Sequence, residues 1–299
     1  MSSEITPPWS SYEFEIANCP LCGSESGVDT QFEFKPFNVV TCRNCELMFL
    51  SPRLTEPSIF KLYQDRSYYQ SSISGQGYDE YMDVRENWLK TFNRRLRVIQ
   101  EFKPKGRVLD VGCGPGFFME IAERTGYDVW GLDPSSYIVR VAQEKFGTRV
   151  SEGTLETADF DNQNFDVIVS FDTFEHIYEP LLFLDASREL LAPKGILVIT
   201  TPNPKSLLAR VSGRRWVSFK IPEHVFYWSP STISKAMKGR FKILRIKNAG
   251  QYATVSFLVR RLFGLKSEAT GLLKTVLGLL SKMSIYSDNG SITVVAEKI

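Results

Sequence analysis

The chain has 299 residues, 43% of them hydrophobic and 23% charged, an ordinary globular balance with room for one large domain plus a small one. Its 36 basic and 34 acidic residues leave a net charge of +2, which gives no global electrostatic case for a nucleic acid or another polyanion. The start, MSSEITPPWS, has neither the basic nor the apolar region of a signal peptide, and LLKTVLGLL at 272–280 is too short for a bilayer span of about 20 residues, so the chain reads as soluble and cytoplasmic.

Four of the five cysteines fall in two pairs, Cys19-Pro-Leu-Cys22 and Cys42-Arg-Asn-Cys45. A two-residue spacer bends each pair so that both sulfurs face one point, and two such turns complete a tetrahedron, which predicts a structural Zn²⁺ held by Cys19, Cys22, Cys42 and Cys45. Four thiolates leave no position for a substrate, and the metal stands in for a core that so short a segment cannot build. Two disulfides would require an oxidising compartment, which nothing here suggests. Strands are expected at Phe37–Thr41 and Leu47–Leu50. A tyrosine-rich connector follows (Tyr63, Tyr68, Tyr69, Tyr78, Tyr81), then a helix over 79–102 with Met82, Leu89, Phe92, Leu96 and Ile99 on one stripe.

From 106 the pattern alternates. RVLDVG, DVWGLD, FDVIVSFD and GILVITTP read as strands, while FFMEIAERTG, the segment after Ser135-Ser136 and EPLLFLDASRELL read as helices. Such alternation implies a parallel sheet with helices on both faces. Two more strands are expected at 241–248 and 291–298, with a helical insertion over about 252–286 between them. The domain reading is a metal module with its lead-in over 1–65, a helical connector over 66–104 and a large α/β domain over 105–299.

The loop Asp110-Val-Gly112-Cys-Gly114-Pro-Gly116 follows the first of these strands and opens a helix, where ligands bind in open parallel sheets. Its spacing is G-x-G-x-G, with Phe117 where a dinucleotide fingerprint has its last glycine, and no Gly-Lys-Ser/Thr follows. A pyrophosphate is therefore disfavoured. Asp133 ends the second strand, where a carboxylate can accept both hydroxyls of a ribose. A ribose contact without a phosphate cradle suits an adenosine-bearing cofactor that lacks phosphates.

DVGCGPG at 110–116, Asp133, FDVIVSFDTFEHI at 165–177 and LLAPKGILVITTPN at 190–203 resemble class I S-adenosylmethionine-dependent methyltransferases, and CPLC…CRNCELMFLSPR resembles those that carry an N-terminal zinc module, several of which modify sugars or natural products. The resemblance implies a Rossmann-like, seven-stranded α/β methyltransferase sheet with helices on both faces and a reversed last strand pair, plus the small zinc module. It implies that Asp110, Gly112, Gly114 and Gly116 hold the methionine end of S-adenosylmethionine and Asp133 the ribose. Thr154 and Leu155 would lie by the adenine, and Phe171 and Asp172 along the cofactor's edge.

An acceptor hydroxyl or acidic carbon needs a base, and the chain has two histidines. His176 follows the fourth strand. His224, preceded by Glu223, resembles the Glu-His of zinc-bearing sugar C-methyltransferases, where the histidine is the proposed base. Adjacent residues in an extended segment point to opposite faces, so Glu223 need not touch His224. Trp216, Phe219, Phe226, Tyr227 and Trp228 either wall a substrate pocket or pack a core, and Arg210, Arg214, Arg215 and Lys220 form either a phosphate grip or a solvated loop. The insertion reads first as a lid, with a dimer surface or a membrane-surface helix as alternatives. The expected partner is a small molecule, a sugar or secondary metabolite. The alternatives are an RNA methyltransferase and a non-catalytic cofactor-binding interaction protein.

Overall fold

The computed structural model describes residues 9–25, 27–64, 85–158, 160, 164–263, 280–281 and 283–299. The N-terminal part holds β1 (Phe14–Glu15), β2 (Val28–Phe34), β3 (Phe37–Cys42), β4 (Met48–Leu50) and β5 (Arg53–Leu54), followed by α1 (Glu56–Gln64). Strand β2 was not expected from the sequence. It is a sheet edge with most of its residues exposed, so it lacks the apolar run that marked its neighbour β3.

The large part begins with α2 (Arg85–Gln100), the described portion of the helix read over 79–102. Then come β6 (Arg107–Val111), α3 (Phe117–Arg124), β7 (Asp128–Asp133), α4 (Ser136–Phe146), β8 (Val150–Glu152), β9 (Phe165–Phe171), α5 (Pro180–Leu190) and β10 (Leu191–Pro202). The chain continues through α6 (Leu207–Ser212), β11 (Phe226–Tyr227), α7 (Pro230–Met237), β12 (Phe241–Thr254), α8 (Val255–Phe263) and β13 (Ser284–Lys298).

Seven strands form one mixed sheet in the order β12-β13-β10-β9-β6-β7-β8. All pairs are parallel except the two made by β13, which runs antiparallel to β10 and β12. This is the Rossmann-like, seven-stranded order expected from the sequence, with the reversed last pair.

The central strands are apolar on both faces, because both are covered. Val108, Val167, Val169, Ile196, Val198 and Val295 join a core with residues of α2, α3 and α4. Their alternate neighbours, including Leu109, Ile168, Leu197, Ile199 and Val294, join a second core with residues of α1, α5, α7 and the cysteine-bearing segment. That second core is continuous with the small N-terminal sheet, ordered β11-β4-β3-β2, because β11 pairs with β4 (Phe226 opposite Phe49, Tyr227 opposite Met48).

Strands β12 and β13 are longer than read, so 252–254 and 284–286 are strand rather than helix. The extension passes a register shift between Ala249 and Gly250, where a Cβ on residue 250 would stand 2.1 Å from the Ser287 carbonyl oxygen. Tyr68, Tyr69, Tyr78, Tyr81 and Met82 of the predicted connector and helix lie outside the described residues, as do Lys266 and Lys274 of the insertion. No described helix is long and apolar enough to cross a membrane.

Candidate functional site

The glycine loop leaves β6 at the carboxyl edge of the sheet. Gly112 adopts φ 78°, and a Cβ there would sit 2.3 Å from Thr173 Oγ1, so this glycine lets the loop close onto the segment after β9. Gly114 also has positive φ but faces open space, with no atom within 4 Å of a built Cβ. Gly116 ends the loop at the start of α3. Asp133, at the end of β7, accepts the Gly114 N–H at 3.0 Å on Oδ2 and the Ser135 N–H at 2.9 Å on Oδ1, fixing both turns relative to each other.

Asp110 is 4% exposed, and its burial, with the Asp133 charge beside it, pushes its carboxyl up to about 8 against the opposing pull of Arg95. Burial raises Asp133 as well, opposed by its two backbone N–H bonds. Thr154 and Leu155 follow β8; the adjacent Gly153 N–H donates to the Asp133 carbonyl at 3.1 Å, and Leu155 is buried. Phe171 meets Phe118 edge-on at 5.0 Å. Asp172 has φ 55°, and its N–H donates to the Thr200 carbonyl at 2.8 Å. The cofactor residues expected from the sequence therefore converge on the ends of β6 to β9.

Arg95 is a functional candidate that the sequence did not signal. It comes from α2, is buried, and brings Nη2 to 2.8 Å from Asp172 Oδ2, while its Nε and Nη1 have no hydrogen-bond partner. Two arginines stand side by side at 94 and 95, and only the helix phase separates the inward one from the exposed one.

The raised Asp110 pKa sets a pH dependence. The folded, ligand-free protein keeps a proton that the unfolded chain releases near its ordinary 3.8, so this contribution to stability is full below about pH 4 and is lost as pH rises through about 8. The depressed histidines described next act oppositely below about pH 6.5, so the clean comparison lies above it. The urea midpoint of the ligand-free wild type is expected to fall between pH 7 and pH 9 more than that of Asp110→Asn; equal falls would contradict a protonated Asp110.

The two histidines meet. His176 lies in the short turn Phe174–His176 after β9 and His224 just before β11, with ring centroids 4.6 Å apart and planes at 86°. Glu175 faces His224, with Oε1 3.9 Å from Nε2, and Glu223 is buried beside His224 in sequence. Thr201 Oγ1 donates to Glu175 Oε2 at 2.9 Å, and the Val225 N–H donates to the Glu175 carbonyl at 3.0 Å.

Burial, then the Lys220 charge, lowers His176 to about 3; burial, then the His176 and Lys220 charges, lowers His224 well below its usual value. Burial and the Asp172 charge push Glu175 up to about 8. The cluster therefore holds neutral imidazoles of low proton affinity in the ligand-free protein, and His224 Nδ1 has no hydrogen-bond partner. Two imidazoles and a carboxylate with ligand atoms within 4.8 Å of one another are also donor types a divalent metal accepts.

The aromatic crowd is core: Trp216, Phe226, Tyr227 and Trp228 are buried, and Phe219 packs on Phe32 and Phe34 at 5.1 and 5.6 Å. The basic cluster divides. Lys220 is half-buried and its charge bears on both histidines, while Arg210, Arg214 and Arg215 are exposed.

Cys19 and Cys45 bring their sulfurs to 3.3 Å and Cys22 and Cys42 to 3.6 Å, all four lie within 4.8 Å of one another, and none is in a disulfide. A tetrahedral Zn²⁺ with bonds of about 2.3 Å sets its sulfurs about 3.8 Å apart, close to this spacing. The two turns are alike: Gly23 N–H donates to the Cys19 carbonyl and Glu46 N–H to the Cys42 carbonyl, with φ 69° and 67° at those residues. Donor set and geometry fit the metal.

Comparison with known proteins bears on the family and the fold. A family model described as a methyltransferase domain matches residues 78–240. The chain is 35% identical over 153 residues to a ubiquinone biosynthesis O-methyltransferase of Cereibacter sphaeroides (strain ATCC 17025), a match covering 49% of this chain and 62% of the relative. To the protein of that name from Roseobacter denitrificans it is 34% identical over 145 residues, covering 46% of this chain and 58% of the relative. The matches thus span less than two thirds of these relatives. The crystal structure of magnesium protoporphyrin IX methyltransferase from Synechocystis PCC 6803 with bound SAH superposes with a TM-score of 0.52 at 16% identity, covering 82% of this chain and 100% of that one.

Proposed function

The chain belongs to the methyltransferase-domain family, and from that premise we propose that it transfers a methyl group from S-adenosylmethionine to a small-molecule acceptor. The observation that carries this is the joint between the open-faced Gly114 and the Asp133 carboxylate at the carboxyl edge of β6 and β7. When bound, the cofactor supplies an electrophilic methyl group on a sulfonium.

On this reading Asp110, Gly112, Gly114 and Gly116 surround the methionine end, and Asp133 accepts the ribose hydroxyls. Thr154 and Leu155 flank the adenine, and Phe171 and Asp172 line the edge. Arg95 supplies the cation for the methionine carboxylate, which its unpartnered Nε and Nη1 support. Asp110 and Asp172 face the cofactor's positive groups.

The acceptor is a sugar, nucleotide-linked or free, or a secondary metabolite. The names of the relatives favour an oxygen acceptor over carbon. His224 is the base that takes the acceptor's proton, with His176 packed on its ring and Glu175 facing it. The domain division follows the sequence reading, with a metal module over 1–65, a connector over 66–104 and the catalytic domain over 105–299. Zn²⁺ on Cys19, Cys22, Cys42 and Cys45 is structural, since four thiolates fill its coordination.

The test is transfer of labelled methyl from S-adenosylmethionine to phenolic, catecholic and nucleotide-sugar acceptors, with RNA as a separate arm. The expected outcome is a labelled small molecule, with kcat lowered about 10²–10⁴-fold in His224→Gln and KM little changed. Labelled RNA alone would replace this reading with the RNA enzyme, and binding of cofactor without any transfer would favour the interaction protein.

A further inference from the structure

A cavity of about 200 Å³ opens between α2 and the β12–β13 hairpin. Its wall is cationic: Arg94, Arg95, Arg245 and Lys247 line it, against a single carboxylate, Asp288. The whole chain carries a net charge of only +2, so this concentration is not a sample of the average surface. Arg245 is paired with Glu101 and Arg95 with Asp172. Arg94 lies over the Tyr286 ring at 4.2 Å, and neither it nor Lys247 has an ion-pair partner among the described residues. The Tyr286 hydroxyl accepts the Gly250 N–H at 2.8 Å, which leaves its own O–H free to donate into the cavity.

The cavity reaches the carboxyl edge of the sheet on the α2 face, opposite the face that carries the His224–Glu175 cluster, since Thr200 and Thr201 of β10 point to opposite faces. Thr293, on its wall, has Oγ1 2.8 Å from Thr200 Oγ1 near the carboxyl end of β10. Arg95, also on its wall, reaches Asp172 at the end of β9. The cavity therefore stands at the same sheet edge as the glycine loop, with the Arg95–Asp172 pair between them. Sites that enclose a whole ligand measure about 300–1,000 Å³, so this one is sized for one group of a larger molecule.

We propose that this cavity binds the anionic group, a carboxylate or a phosphate, of the methyl acceptor. The proposal rests on the methyltransferase reading and narrows its acceptor class. Arginine offers a planar fork that matches the two oxygens of a carboxylate or phosphate, and lysine adds a point charge. Neither Arg94 nor Lys247 has to break an existing ion pair to bind such a group.

The experiment is calorimetric titration of protein saturated with S-adenosylhomocysteine, once with benzoate and once with inorganic pyrophosphate, in the wild type and in an Arg94→Gln/Lys247→Gln double variant. Both substituted positions are exposed, and thermal melts check that the variant folds. One of the two anions is expected to bind the wild type, and the double variant to bind it about tenfold or more weakly, with unchanged affinity for S-adenosylhomocysteine. Benzoate as the better ligand assigns a carboxylate acceptor, pyrophosphate a phosphate ester. Binding of neither anion, or equal binding by wild type and variant, overturns the proposal. If S-adenosylhomocysteine itself fails to bind, the methyltransferase reading falls separately, and the same titrations on ligand-free protein still decide whether the cavity takes an anion.

Discussion

Cys42→Ser is expected to lower the melting temperature by more than about 10 °C and to abolish stoichiometric zinc, because the four-cysteine cluster anchors more than its own loop. A structural zinc site contributes folding free energy outright, and each kcal/mol lost shifts the melting temperature by about 2–4 °C in a chain of this size class. Cys42 ends β3 and is fully buried, with Val39, Leu47 and Phe49 packed in the same core. That core is shared with the large sheet, through β4 pairing with β11 and through Lys235 Nζ donating to the Cys45 carbonyl at 3.0 Å. His224 lies two residues before β11, and the Leu50 N–H donates to the Val225 carbonyl at 2.9 Å. Loss of the metal should therefore also free the segment that holds His224 against His176, read as faster amide exchange over 223–228. Full zinc occupancy by emission spectrometry, or a melting temperature like the wild type's, would contradict a four-cysteine structural site.

Gly112→Ala should cost about 2–5 kcal/mol of stability and remove most affinity for S-adenosylhomocysteine. The φ of 78° costs an L-residue about 1–2 kcal/mol, and a methyl 2.3 Å from Thr173 Oγ1 and 2.6 Å from its Cγ2 adds the strain of overpacking, about 1–3 kcal/mol. The loop can relieve that contact only by lifting off Thr173, which displaces the Gly114 amide from Asp133. Gly114→Ala makes the contrast, since its Cβ meets no protein atom; it should spare more of the fold than Gly112→Ala while still weakening the cofactor. Denaturant midpoints and calorimetry on both variants separate the two roles, and unaltered cofactor affinity in Gly112→Ala would show that the loop does not hold it.

The parts of the site that the sequence disclosed are those whose chemistry is local. Glycines at alternate positions after an apolar strand announce a backbone requirement, and an acid closing the next strand announces a hydrogen-bond acceptor at a known edge. Two Cys-x-x-Cys pairs announce a tetrahedron. What stayed hidden depends on contacts between distant segments. Glu175 faces His224 only because the turn after β9 and the segment before β11 are brought together by the fold. Arg95 differs from Arg94 only in helix phase, and its partner Asp172 follows β9, distant in sequence. Strand β2 is held as an exposed edge by pairing rather than by burial, so it left no apolar signature. The aromatic run 226–228 reads equally as pocket or core, and its burial decides for core, with Phe226 and Tyr227 taken into the cysteine module's sheet as its edge strand.

The central claim is that the glycine loop and Asp133 form a cofactor site, and calorimetric titration of zinc-loaded protein with S-adenosylhomocysteine, with Asp133→Ala in parallel, tests it most directly. The account predicts micromolar binding by the wild type and its loss in a variant that still melts cooperatively. Absence of binding to well-folded wild-type protein, or equal binding by Asp133→Ala, would contradict it.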